Sequence, residues 1–164
     1  MVTAMGVLVA LLLVYFAAQA LKSDAPSSPV HTVDYRADVA PARREAGFDL
    51  VAPPSLPGGW RATAVSFAGD PGSHWHLGVL TDKDRYVGLE QGDESVEDMV
   101  TTYVDESATR GGPQRVAGRT WTTYTDTGGD LALVRRDEKT RTTTLVVGHV
   151  VPRRQLVSYV ASLR

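Results

Sequence analysis

Cysteine is absent from the 164 residues. This excludes a disulfide framework, a thiolate metal site, a cysteine nucleophile and a cysteine-borne lipoprotein anchor. Charge of one sign is also lacking: 17 basic and 19 acidic side chains leave a formal net charge of −2, and no basic tract gathers anywhere. Such a chain has no field to collect phosphate backbones, so nucleic acid is not expected as a partner. G-x-S-x-G, S-x-x-K, H-E-x-x-H, the P-loop and G-x-G-x-x-G are all missing, and with them the common hydrolase, zinc and nucleotide signatures. What remains is an ordinary globular composition, 43% hydrophobic and 22% charged. At this length it describes one core with an appendage.

The appendage is the N-terminus, where residues 1–21 carry no charged side chain. As a helix rising about 1.5 Å per residue, this stretch is roughly 31 Å long, matching a hydrocarbon core of about 30 Å. It is expected to span a membrane once, through Val2 to Leu21. A cleaved signal peptide is the alternative, because Ala18-Gln19-Ala20 has the small-x-small pattern that signal peptidase accepts. No Lys or Arg precedes the apolar run, which points to a start upstream of Met1. Lys22 to Pro29 reads KSDAPSSP, a Ser/Pro-rich tether. The organisation expected is an anchor over 1–21, a tether over 22–29 and a domain over 30–164. That domain is placed outside the cytoplasm, on a single-pass protein of the cell membrane.

Within the domain, Val30 to Tyr35 reads as an edge strand, and Pro41 to Ala46 as one or two helical turns with Pro41 near the first position. Strands are expected over Trp60 to Phe67, His74 to Thr81 and Tyr86 to Gln91. Their short connections imply an antiparallel meander. At Ser95 the period changes: Val96, Met99, Val100, Tyr103 and Val104 follow helical spacing, and Ser95 with Asp98 forms a capping box. Gly111-Gly112-Pro113 reads as a breaker. Strands over Arg119 to Thr125, Leu131 to Arg136 and Thr142 to His149 follow, then a helix from Pro152 with the stripe Leu156, Val157, Val160, Leu163. The order is βββα-βββα, with Trp60 and Trp121 opening the two halves, which raises a duplication. The fold class is α+β: an antiparallel sheet of six or seven strands with two amphipathic helices on one face. The helices are expected over Trp75, Leu77, Val79, Val87, Leu89, Leu145 and Val147. His74, His76, Tyr86 and Glu90, with Thr142 and Thr144, are expected on the open face.

The one constellation with chemical promise is His74-Trp75-His76. Strand alternation puts both imidazoles on one face, where Glu90 of the next strand joins them. Two histidines and a guessed third ligand do not make a metal site, so no metal and no cofactor are assigned. No catalytic residue is assigned either. Asp93, Glu94, Glu97 and Asp98 read as a helix's first-turn acids, and the three tryptophans as core. His74, His76, Tyr86 and Glu90 are the candidate binding residues of a non-enzymatic envelope module whose partner is a protein, glycan or lipid. The alternatives are a metal-dependent hydrolase using His74, His76 and Glu90, and a small-ligand carrier.

Leu56-Pro57-Gly58-Gly59-Trp60-Arg61-Ala62-Thr63, Trp75-His76-Leu77-Gly78, Tyr86-Val87-Gly88-Leu89-Glu90-Gln91, Gly118-Arg119-Thr120-Trp121 and the Leu156 to Leu163 helix together resemble an actinobacterial family of membrane-anchored proteins classed as a domain of unknown function (family 4245). The resemblance runs nearly the whole length of the chain. It implies a single-pass topology with an exported domain, and no activity comes with it.

Overall fold

The computed structural model describes residues 31–69 and 72–164. Their elements are α1 (Arg36–Glu45), β1 (Arg61–Ala68), β2 (His74–Leu80), β3 (Tyr86–Gly92), α2 (Val96–Tyr103), β4 (Thr109–Val116), β5 (Arg119–Thr125), β6 (Asp130–Asp137), β7 (Thr142–His149) and α3 (Arg153–Ser162). The expected anchor and tether lie outside the described residues. Among those described, no helix is long and apolar enough to cross a membrane.

The strands form one antiparallel sheet of seven in the order β1-β2-β3-β7-β6-β5-β4. The meander β1-β2-β3 was legible because its turns are short and polar. In the second, Thr81 Oγ1 accepts from the backbone N–H groups of Lys83 (3.3 Å) and Arg85 (3.1 Å). Before β1, Gly59 adopts φ +79° and the Trp60 N–H reaches the Pro57 carbonyl at 3.0 Å, a turn that favours glycine at this position.

The sheet is covered on both sides. Leu156, Tyr159 and Val160 of α3, with Ala42 of α1, join Trp75, Leu77, Val87, Leu89 and Val146 in one core. Met99 and Val100 of α2 form a second with Ala132, Val134, Leu145 and Val147. Neighbouring residues of a strand point to opposite faces, so Val146 lies on one side and Leu145 and Val147 on the other. This corrects the expectation of two helices on one face. It also moves Leu145 and Val147 to the His74 face and Thr142 and Thr144 to the Trp75 face, because Leu89 pairs with Val146 and Gln91 with Thr144. The physical reason is that Thr142–Gly148 is buried throughout. A strand sandwiched between two layers shows no alternation from which to read its parity.

Three further expectations are corrected. Residues 31–35 form no strand; Val33 makes a single backbone hydrogen bond to the Ala62 carbonyl, at 2.9 Å. Pro41 sits inside a ten-residue helix rather than at its start. Gly111-Gly112-Pro113 lies within β4, where the register slips between Arg110 and Pro113. On an edge strand, a bulge and a proline leave no ladder donor missing. The duplication fails as well. The second half has four strands, β4–β7, against three in the first. Copies pairing antiparallel through β3 and β7 would be related by an axis perpendicular to the sheet, which keeps both helices on one side, whereas α2 and α3 lie on opposite sides.

Polar clamps fasten the remaining chain to the Trp75 face. Gln91 Oε1 accepts from the Val51 N–H at 2.9 Å while its Nε2 donates to the Asp49 carbonyl at 2.9 Å. Ala52 and Arg164 exchange backbone hydrogen bonds at 3.0 and 3.2 Å.

Candidate functional site

On the His74 face the cross-strand register sets His76 beside Glu90 and His74 beside Gly92. The Glu90 carboxyl is only 2% exposed and divides its oxygens between the two imidazoles. Oε1 lies 2.6 Å from His76 Nδ1 and Oε2 lies 2.9 Å from His74 Nε2. A buried carboxylate needs such partners, since unpaired burial is strongly unfavourable. The second nitrogen of His74, Nδ1, lies 2.9 Å from Glu94 Oε1. Carboxylate oxygens only accept, so facing one from each nitrogen makes His74 a donor on both sides, the imidazolium form. Its pKa is accordingly raised above the ordinary 6.5, chiefly by the Glu90 hydrogen bond, against the opposing effect of burial and with further help from Glu94.

The surroundings explain why this assembly holds still. Tyr103, at the end of α2, stacks on His74 with ring centres 5.6 Å apart and puts its hydroxyl 3.3 Å from Nε2. The loop carrying Glu94 is pinned from behind: its carbonyl accepts from Thr143 Oγ1 at 2.7 Å and Arg136 Nη1 at 2.8 Å. Ser95 caps α2 as expected, accepting from the Asp98 N–H at 3.1 Å. Gly92 matters by its emptiness, because a Cβ there would collide with Glu94 Oε2.

Tyr86 lies flat on a glycine floor. A Cβ on Gly88 would stand 2.9 Å from its hydroxyl, and one on Gly78 would stand 3.4 Å from its ring. At these two glycines it is a side chain of the protein itself that takes the space. Burial, then the charge of Glu90, push the Tyr86 hydroxyl up to about 12, yet the residue remains 38% exposed. Beside it Ala64, Ser66 and Ala68 of β1 are exposed and small.

All four candidate residues, His74, His76, Tyr86 and Glu90, therefore converge on one face. Glu94, Tyr103, Arg136 and Thr143 complete the assembly and were not singled out as site residues from sequence. Glu94, which by sequence reads as a first-turn acid of α2, pairs with His74. Thr142 and Thr144 do not belong here. Among the described residues, no group of three or more His, Asp or Glu side chains is placed to hold a metal ion. Ser66 is the cross-strand partner of His76, but His76 Nε2 sits toward Gly78 and makes no hydrogen bond to it.

No curated protein and no solved structure matches this chain. Residues 1–163 match the model of a family described as a protein of unknown function (DUF4245), and the chain belongs to that family.

Proposed function

We propose that the domain is a non-enzymatic binding module of the cell envelope, held outside the membrane by residues 2–21 and contacting a protein, glycan or lipid partner through the β1–β3 part of the His74 face. The observation that carries this reading is Tyr86. It is a partly exposed aromatic laid over two glycines, beside a polar cluster whose only unpartnered carboxylate oxygen is the buried Glu94 Oε2. Both Glu90 oxygens and both His74 nitrogens are engaged. What the surface offers outward is the Tyr86 ring and hydroxyl, His76 Nε2 and a flat strip of small side chains, a set suited to recognition without a greasy patch. The anchoring part of the proposal rests on the length and lack of charge of residues 1–21.

The test is a pull-down from membranes with the full-length chain as bait. Tyr86→Ala and His76→Ala should lose the partner while keeping the unfolding transition of the parent. Equal capture by both variants would show that another surface makes the contact. Stoichiometric, submicromolar zinc binding that disappears in His76→Ala would instead replace this reading with the metal-dependent hydrolase.

A further inference from the structure

The Trp75 face carries a second, separate feature. Where α3 passes the β4–β5 hairpin, a cleft of about 250 Å³ opens, lined by Val116, Trp121, Val160 and Leu163 together with Arg119, Arg135 and Arg164. No acidic side chain lines it. Arg135 pairs across the sheet with Thr144, itself opposite Gln91, so the polar row sits beneath the segment that Gln91 clamps down.

Arg119 and Arg135 are poorly compensated. Arg119 makes no ion pair among the described residues, and the one contact of Arg135 with a carboxylate is a long 3.8 Å approach to Asp137. Arg135 Nε is buried with no hydrogen-bond partner, an orphan donor that a folded protein normally satisfies. Its guanidinium lies 5.8 Å from the centre of the Trp121 ring. Burial and the like charge of Arg119 weaken its hold on its proton. Arg119 and Arg135 also line an adjoining hollow of about 160 Å³, which they share with Asp49, Asp137, Thr142 and Thr144; neither aspartate lines the cleft itself. A cleft lined by indole and aliphatic carbon, with an exposed guanidinium on Arg119 and an unpartnered buried Nε on Arg135, matches a ligand that is apolar at one end and anionic at the other.

We propose that this cleft binds a small organic carboxylate, its head group on Arg119 and Arg135 and its apolar body against Trp121, Val160 and Leu163. The site lies on the opposite face from the His74 cluster and does not depend on the partner-binding role given to that cluster.

The experiment follows the indole N–H resonances of the full-length chain in detergent, with Trp121 assigned through Trp121→Phe and the fully buried Trp75 as internal reference. Hexanoate should shift the Trp121 signal saturably. Arg135→Gln and Arg119→Gln should each weaken binding by about tenfold or more, the order expected for loss of a charge-assisted hydrogen bond. Arg119 is exposed and unpaired, so its variant keeps the fold intact even if Arg135→Gln does not. The proposal is overturned by no saturable shift, by an equal response to hexanol, by inorganic phosphate binding as well as hexanoate, or by unchanged affinity in Arg119→Gln.

Discussion

His74 shows how far a single residue depends on its setting. Alone it is an imidazole titrating near 6.5; between Glu90 and Glu94 it holds its proton to higher pH. A group whose folded pKa is raised contributes stability that is fully present below its unfolded value and is lost as pH rises through the folded one. Unfolding free energy should therefore decline from about pH 6.5 upward, and NMR titration of His74 should place its midpoint above 6.5. Glu90→Gln should bring that midpoint down and flatten the decline; an unmoved midpoint would mean that Glu90 does not hold the proton there. Gly92→Ala isolates the other carboxylate. The new methyl meets Glu94 Oε2 head-on and stands 3.1 Å from His74 Nδ1, so it displaces Glu94 while the Glu90 contact at Nε2 remains. The midpoint should then fall by less than in Glu90→Gln; Glu94→Gln, which adds no atom beside His74, should show the same smaller fall.

At the scale of elements, α2 is held by one core and α1 and α3 by the other, and the consequences of truncation should differ accordingly. Met99 and Leu145 belong to the α2 side, Leu89 and Leu156 to the α1–α3 side. All four are essentially fully buried, so truncation to alanine should lower stability by about 2–5 kcal/mol each. Hydrogen exchange distinguishes the sides: Met99→Ala should selectively expose the amides of 96–103, while Leu156→Ala should loosen α3 and leave α2 protected. If both variants loosen both helices equally, the two cores behave as one. The α2 stripe and its Ser95 cap were legible because period and cap chemistry are local. Which face α2 covers was not, since no residue of α2 records the parity of β7.

For the whole molecule, the proposal assigns location to residues 2–21 and recognition to the domain. Mass spectrometry of the mature protein from membranes should find residues 2–21 still attached; an N-terminus at Leu21 would show cleavage after Ala20 and remove the anchor from the proposal. The two proposed surfaces lie on opposite faces of one sheet, so variants in one should leave binding at the other unchanged. Loss of hexanoate response in Tyr86→Ala would show that they are coupled.

The sequence by itself determined what depends on neighbours along the chain: most strands, the 3.6-residue stripes of α2 and α3, the Ser95 cap, and the grouping of His74, His76, Tyr86 and Glu90. That grouping follows from strand alternation and one short hairpin, both local. The tertiary structure alone decided what depends on register across distant strands. It set the Leu89–Val146 pairing that sends α2 and α3 to opposite faces. It brought Glu94, Arg136 and Thr143 from separate segments to steady His74. It also placed Arg119, Arg135 and Trp121 around one cleft. A strand buried on both sides carries apolar or threonine side chains at every position, so its composition cannot say which way each one points, and only pairing with β3 does.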